Sequence, residues 1–359
     1  MTSLLQRPPH KFPLLKLPFL AMENVFLCMT HLELVDISLC SKKCKNLVKS
    51  GRKRPSTYLD IELNWIQLQI YLYDANDEDI VSVWDFSKRV VRNRKSVQWW
   101  KLNGLEGYTK KQRGNERHYQ CTTKQPLETS MATVISYFFE LFPDCYVKNM
   151  TLQFMYNDSQ CLLPVLAAVK TVENLKTHNY DRIDHIKNIL PHVTITKAFQ
   201  TNYNVCKNPL VLESLACTEI IYCDNARWLS PETFMTLNCK LVGLMKARLT
   251  VEDIMSYFKK WKNSTGDEMN RLQHMFIISE DIEIGQGVFN VLEELGATAW
   301  DPVKRARYFK YPEGDFIDCQ TGMDIERTDG LLASIMLPTK KKVSIIVWKD
   351  RFPEQPIRQ

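Results

Sequence analysis

Residues 12–49 read FPLLKLPFLAMENVFLCMTHLELVDISLCSKKCKNLVK. A module of roughly 40 residues has too little interior to bury that much apolar surface by itself. It must dock on the rest of the chain or be covered by another protein, and the choice decides what this protein is. Three helices are marked out. Pro18 suits the first position of helix one, where a missing N–H is harmless. Phe19, Met22, Val25, Phe26 and Met29 then follow at i, i+3, i+4 spacing. Thr30 and Glu33 form a capping box for helix two, each side chain satisfying a free N–H of the first turn. Leu32, Val35 and Leu39 share one side of that helix, while Leu34 and Ile37 point elsewhere. A helix apolar on two sides is covered on two sides. Ser41 caps helix three, which holds Leu47 and Val48 among Lys42, Lys43, Lys45 and Lys49 and ends at Gly51. Pro13, Lys16, Pro18 and Glu23 interrupt the apolar stretch, which argues against a signal peptide.

Leu17-Pro18, Val25, Met29, Glu33-Leu34, Ile37 and Ser41-Lys42 resemble an F-box, the three-helix motif that binds Skp-type adaptors. Phe12-Pro13-Leu14-Leu15 is similar to the opening of an F-box group expanded in nematodes. The resemblance covers the whole motif, taken as residues 10–51. It implies that Leu17, Pro18, Val25, Leu34 and Ile37 lie at or near the adaptor contact. On that reading Leu32, Val35 and Leu39 close the module, and Leu34, Ile37, Leu17 and Pro18 face the adaptor.

Composition bounds the remainder. A chain of 359 residues suggests a small N-terminal unit and a larger one after it. Apolar residues make up 45%, enough for a sizeable core, and no run of 18 apolar residues indicates a membrane span. The net charge of +6 is mild, and nucleic-acid binders concentrate charge in a stripe. The 11 cysteines are irregularly spaced, with one C-x3-C pair at Cys40 and Cys44. They read as buried thiols of a reducing compartment, cytoplasmic or nuclear, and not as metal ligands. Asn149, Asn157 and Asn263 head glycosylation tripeptides, read as chance matches in the absence of a secretory signal.

Residues 52–128 read as a β-rich connecting segment. The basic run Arg52-Lys53-Arg54 opens it, more simply a helix end and linker than a nucleic-acid contact. Leu59, Ile61, Leu63 and Trp65 alternate with polar residues, and Ile66–Tyr73 and Ile80–Phe86 are rich in β-branched and aromatic residues. Lys101–Pro126, polar and holding Gly104, Gly107 and Gly114, reads as a long loop.

From about residue 129 to 350 short helices alternate with short strands. Helices are expected at Met131–Phe142, Leu162–Val169, Asp181–Leu190, Leu210–Leu215, from Ser230-Pro231-Glu232, and at Val251–Lys262 capped by Thr250. Strands are expected at Val147–Met155, Asn174–Thr177, Val193–Thr196, Thr218–Cys223, Lys240–Met245 and Leu272–Ile278. Leu331–Leu337 and Val343–Trp348 form a terminal antiparallel pair joined by a lysine loop at Lys340–Lys342. The fold class is therefore α/β: a small three-helix F-box followed by a leucine-rich-repeat-like α/β domain with a mainly parallel sheet and a C-terminal antiparallel pair. Strand starts recur every 20–30 residues, the period of leucine-rich repeats, although no good copy of their consensus is present. Right-handed crossovers then place the helices on one face and leave the other open for binding. A doubly wound sheet is the competing fold.

Cys223–Trp228, then Leu249–Ile254 with Phe258 to Trp261, and Ile325–Gly330 followed by Ala333–Ile335, resemble the F-box-associated domain type 2, from about residue 217. The nematode FTH domain is the alternative for the body. Trp228 and Trp261 are candidate binding hot spots, since aromatic residues dominate such sites, although Trp261 sits at core spacing. No G-x-S-x-G elbow or P-loop is present, Gly285-Gln286-Gly287 lacks a third glycine, and Asp181, Asp184 and His185 read as an exposed helix face. The resemblance implies a non-catalytic substrate-recognition adaptor of a cullin–RING (SCF-type) ubiquitin ligase. It would bind a Skp-type adaptor, through it a cullin, and an unknown protein substrate at residues still to be located. No cofactor, metal or membrane is expected. The alternatives are an F-box scaffold without ubiquitin transfer and a basic nucleic-acid-binding protein.

Overall fold

The computed structural model describes residues 14–356, apart from 51–55, 65–67, 77–79, 88–97, 112–116, 123–124, 155–158, 180–187, 204–218, 266–268, 280–285 and 312–313. Two compact units emerge, one holding the chain up to Asp60 with Leu68–Tyr146, the other Ile61–Gln67 with Val147–Gln359.

The first unit opens with a 3-10 turn, Leu14–Lys16, and three helices: α1 (Phe19–Leu27), α2 (His31–Cys40) and α3 (Lys42–Ser50). Pro18 lies one residue before the first helical position, and its carbonyl accepts the Met22 N–H at 3.0 Å. The capping box at α2 is made as expected: the Thr30 N–H donates to Glu33 Oε2 at 2.9 Å and the Glu33 N–H to Thr30 Oγ1 at 3.3 Å. Ser41 Oγ accepts the Cys44 N–H at 3.1 Å at the head of α3. Gly51 and the basic run at Arg52–Arg54 lie outside the described residues.

Six strands follow: β1 (Thr57–Leu63, which begins in this unit), β2 (Leu68–Asp74), β3 (Ile80–Phe86), β4 (Gln98–Leu102), β5 (Leu105–Lys111) and β6 (Arg117–Thr122), in the order β1-β2-β3-β6-β5-β4. Helix α4 (Leu127–Leu141) buries Met131, Val134, Ile135 and Phe138. Trp84 on β3 stacks on Tyr119 of β6 at 4.4 Å and meets Phe138 edge-on at 5.4 Å. The expected loop at Lys101–Pro126 is instead the rest of β4, then β5 and β6. Asn103 and Gly104 carry φ of 47° and 85° between β4 and β5, the paired positive φ of a two-residue hairpin turn for which Asn-Gly is the strongest local signal. The β-rich segment thus shares a core with the three helices and with α4, and it does not stand between domains as a connection.

In the second unit β7 (Tyr146–Phe154), β8 (Thr171–Asn179), β9 (Thr194–Tyr203), β10 (Ile220–Cys223), β11 (Leu241–Ala247) and β12 (His274–Ser279) lie side by side in chain order, all parallel. Among the fully described elements, the helices α5 (Leu163–Val169), α6 (Pro231–Phe234) and α7 (Val251–Asn263) fall between them. Ser230 caps α6, and Thr250 with Asp253 makes a second capping box at α7. After α8 (Gln286–Glu294) come β13 (Thr298–Ala299), the hairpin β14 (Tyr308–Lys310) and β15 (Phe316–Asp318), then β16 (Met323–Glu326), β17 (Leu332–Thr339) and β18 (Lys342–Trp348). The large sheet continues past β12 as β18-β17-β16-β13, antiparallel throughout. The C-terminal antiparallel pair is therefore present. The helices expected at Asp181–Leu190 and Leu210–Leu215, and with them Asp181, Asp184 and His185, fall mainly on residues 180–187 and 204–218, outside the described residues.

Register explains the core. Met150, Leu175, Phe199, Ile221, Val242, Met275, Ile345 and Ile335 are successive cross-strand partners, so one apolar row crosses the sheet from β7 to β17. Side chains alternate across a strand, so the neighbouring residues form the opposite face. Strand order without reversal is the order that one-handed crossovers produce when every connection lies on the same side. A doubly wound sheet would reverse its strand order at a switch point, and none occurs among the six parallel strands.

Candidate functional site

Exposed large apolar side chains gather at the start of the chain. Leu15, Phe19, Leu20 and Leu27 are all exposed, Leu20 at 72%. They lie on the turn before α1 and on α1, whose Met22 and Phe26 point inward. Scattered exposed apolar residues are ordinary, whereas a group of four within 13 positions marks a contact surface.

Helix α2 is turned differently from the sequence expectation. Its buried face is His31, Leu34, Val35 and Ser38, positions i, i+3, i+4 and i+7. Leu34 is only 1% exposed, so it belongs to the core and not to an outward contact. Leu17, Val25 and Ile37 are half-buried and Pro18 is exposed. Leu32 and Leu39, expected to close the module, are only half-buried. The reason is polar. His31 and Ser38 flank the buried leucine and valine and find partners within the first unit, which hides the stripe from a count of apolar residues. His31 Nδ1 lies 2.8 Å from Asp74 Oδ2, and the Ser38 hydroxyl bonds that of Tyr137. The Tyr119 hydroxyl donates to Asp36 Oδ1 at 2.6 Å. Lys45 of α3 pairs with Glu140 of α4 and stands 5.2 Å from the Tyr137 ring. Burial pushes the Tyr137 phenol well above its ordinary range. Beside this seam a cleft of about 820 Å³ opens between the α2–α3 corner, with Ser38, Cys40 and Lys42, and the β4–β5 hairpin, with Trp99 and Leu102.

The second unit offers a sheet face. Opposite the apolar row runs Thr151, Lys176, Gln200, Tyr222, Gly243, Phe276 and Ser344, again successive partners from β7 to β18. The character changes along it. Over β7–β9 the face is polar, with Asn149 and Asn174 joined at 3.0 Å and Gln153, His178 and Asn202 beyond. Over β10–β12 it is apolar, with Ile220, Tyr222, Leu241, Met245 and Phe276 all half-buried.

The hairpin β14–β15 covers the same face further along. Phe309 meets Trp348 edge-on at 5.5 Å, and Ala306 and Ile317 pack on Cys319, Leu332, Met336 and Ile346. Beneath it Arg305, fully buried, gives its Nε to both Asp324 oxygens at 2.9 Å and its Nη2 to the Cys319 carbonyl at 2.8 Å. The hairpin ends against the open part of the face through Tyr311. Its hydroxyl lies 2.6 Å from His274 Nδ1, and His274 Nε2 lies 2.7 Å from Ser344 Oγ, which donates to the Met275 carbonyl at 3.0 Å. The directions close in one way: Ser344 uses its proton on the carbonyl and accepts from Nε2–H, so Nδ1 accepts from tyrosine. That arrangement is a neutral imidazole. Burial, with Lys342 nearby, lowers the His274 pKa to about 4.

Trp228 and Trp261, read from sequence as candidate hot spots, are both fully buried and belong to the core. Among the described cysteines Cys121, Cys145 and Cys223 are buried thiols whose pKa burial raises, that of Cys145 to about 12.

Comparison with known proteins agrees with these two regions. Residues 14–55 match the F-box domain, and residues 211–277 match the F-box associated family. An F-box match is thus followed by an F-box associated match. The F-box match covers α1–α3, and the associated match covers β10, α6, β11, α7 and most of β12. Ile325–Gly330 and Ala333–Ile335, which carried part of the resemblance in the sequence, lie beyond that match. Three Caenorhabditis elegans proteins are similar over most of the chain. The uncharacterized protein F59B2.8 is 22% identical over 96% of this chain and 79% of its own length. The uncharacterized protein F59B2.9 is 23% identical over 96% and 80%. The uncharacterized protein F54H12.5 is 27% identical over 94% and 93%. No solved structure matches the chain.

Two features of these regions are not legible in the sequence. The outward set Leu15, Leu20 and Leu27 falls off the α1 stripe. The pairing of Tyr222 with Phe276 across Gly243 depends on register, which no local pattern reveals.

Proposed function

We propose that this chain is a substrate-recognition adaptor of a cullin–RING ubiquitin ligase. The F-box binds a Skp-type adaptor and through it a cullin, and the second unit holds a target protein. The observation that carries the reading is the exposed apolar group Leu15, Phe19, Leu20 and Leu27 inside the residues that match the F-box. With Leu17, Pro18, Val25 and Ile37 it makes the adaptor contact. Leu34 drops out of that set because it is buried.

The second unit keeps its six parallel strands in chain order, which supports reading it as a leucine-rich-repeat-like sheet that offers one face to a partner. The chain contributes no chemistry of its own on this reading. Catalysis belongs to the ligase, and the adaptor acts by proximity, holding a target where the ubiquitin carrier can reach it.

Co-expression with a Skp-type adaptor tests the proposal. The full chain is expected to co-purify with it. The double change Phe19→Asp, Leu20→Asp is expected to abolish the complex without lowering the melting temperature. Val303→Asp, at a residue 82% exposed elsewhere, is expected to leave it intact. Leu34→Asp is expected to unfold the first unit and so cannot report on contact. A complex that survives the double change refutes the assignment of this surface.

A further inference from the structure

The open face of the second unit has a built aromatic slot. Gly243 sits between Tyr222 and Phe276 in register, and a Cβ placed on it would lie 2.7 Å from Phe276 Cζ and 2.8 Å from Tyr222 Cδ2. Any side chain there would push both rings aside. The two rings meet edge-to-face at 6.3 Å over the glycine. Lys342 stands 5.5 Å from the Phe276 ring, on the side where Tyr311 and His274 close the face. At the polar end of the same row is Lys176, separated from Tyr222 only by Gln200. Among the described residues the three rows that make up this face from β7 to β18 carry two cations, Lys176 and Lys342, and one carboxylate, Asp224, just past the end of β10. Asp224 is engaged with the Tyr222 hydroxyl.

We infer that this face takes an extended segment of a target protein that sets an apolar side chain on the Tyr222–Gly243–Phe276 slot and a carboxylate on Lys176. The inference rests on the reading of the second unit as the target-recognition part. Charge names the ligand: the one carboxylate, Asp224, is held by the Tyr222 hydroxyl, and the two lysines leave the face a cationic excess, so its complement is acidic. Geometry sets the spacing. Adjacent strands lie about 4.8 Å apart, so Lys176 and Tyr222, two strands apart, are about 10 Å from one another. An extended chain in the polyproline II form rises about 3.1 Å per residue and returns to the same side every third residue, so the carboxylate and the apolar group stand about three residues apart. Aromatic slots of this kind dominate the free energy of an interface, and flanking charges set its specificity.

Direct binding to the full chain tests this. The probe is a library of labelled serine-based hexapeptides with one glutamate and, three positions on, Leu, Ile, Phe or Trp. A second library has lysine in place of glutamate. The glutamate library is expected to bind at least tenfold more tightly than the lysine one. Phe276→Ala is expected to weaken binding at least tenfold, and Lys176→Glu to invert the preference between libraries. Gly243→Val is expected to behave as Phe276→Ala. Because valine can disturb the strand, the decisive variants are Phe276→Ala and Lys176→Glu, each checked for an unchanged melting temperature. Equal binding of both libraries, binding unaffected by Phe276→Ala, or no binding at all overturns the inference. Co-purification of the wild-type chain with a Skp-type adaptor is scored in parallel, so that a failed face with intact adaptor binding is distinguished from failure of the adaptor reading itself.

Discussion

Lowering the pH acts on the second unit through His274. Its imidazole is held neutral between a tyrosine donor and a serine acceptor, with burial as the chief cause and Lys342 as the second, and its pKa falls from 6.5 to about 4. In the unfolded chain the ring protonates near 6.5. Between pH 6.5 and 4 the unfolded state therefore binds the extra proton and the folded state does not, so stability falls as pH drops through this window. Each pKa unit is worth about 1.4 kcal/mol. The full gap of about 2.5 units corresponds to about 3 kcal/mol by pH 4, of which about 2 kcal/mol is lost by pH 5. The loss is specific to the ring, so the measurement is a difference. Urea unfolding of the wild-type chain and of His274→Gln is followed across pH 4 to 8. The wild-type minus variant stability should be flat above pH 7 and fall by about 1.4 kcal/mol per unit below 6.5. A difference that stays flat through pH 5 refutes the neutral, tyrosine-bonded histidine, as does an NMR titration placing the ring pKa at or above 6.5. Tyr311→Phe, which removes the donor to Nδ1, should cost about 1–3 kcal/mol at pH 7 by leaving a buried acceptor unsatisfied.

Other changes report on other joints of the fold. Asp324→Asn strands the fully buried Arg305 guanidinium and should cost about 3–5 kcal/mol in denaturant unfolding. Arg305→Met together with Asp324→Leu should cost less than that single change. Gly107→Val places a side chain where the Trp100 ring packs across the β4–β5 hairpin. It should destabilise the first unit by about 1–3 kcal/mol, with a shift in tryptophan fluorescence as the check. Thr250→Ala removes the capping box of α7 and should cost about 1 kcal/mol in the same unfolding assay.

Local signals in the sequence translate well where the physics is local. The capping box at Thr30, the helix starts at Ser230-Pro231 and Thr250 and the individual strand segments of the second unit all depend on neighbours a few residues apart. The hairpin at Asn103-Gly104 is equally local, but the glycines of Lys101–Pro126 read as loop formers. Gly107 is instead a strand residue whose bare Cα accommodates an indole ring. Helix α2 departs from expectation for a different reason. Its inward face includes His31 and Ser38, and these side chains can be buried only because Asp74 and Tyr137 meet them, residues 43 and 99 positions away. A hydrophobic pattern cannot register a polar residue whose partner is that distant. The aromatic slot on the sheet depends likewise on which residues three separate strands bring into register.

The α2 seam also changes what the β-rich segment does. A module tethered by a linker would leave the apolar surface of α1 free to point in many directions, and each direction would dilute the productive one. Here four polar contacts tie the helices to strands and helix of the same unit: His31 to Asp74, Asp36 to Tyr119, Ser38 to Tyr137 and Lys45 to Glu140. Polar contacts of this kind contribute little net stability beside apolar packing, but the buried ones among them, Ser38 to Tyr137 above all, penalise any other docking angle by leaving their partners unsatisfied. Val35 and Leu34 supply the adhesion and the four polar pairs supply the register. In the proposed ligase the β-rich segment is therefore a mounting that fixes the direction of the adaptor contact. Loosening it with Tyr137→Phe and Asp36→Asn should leave adaptor binding intact while lowering the rate at which a bound target is modified.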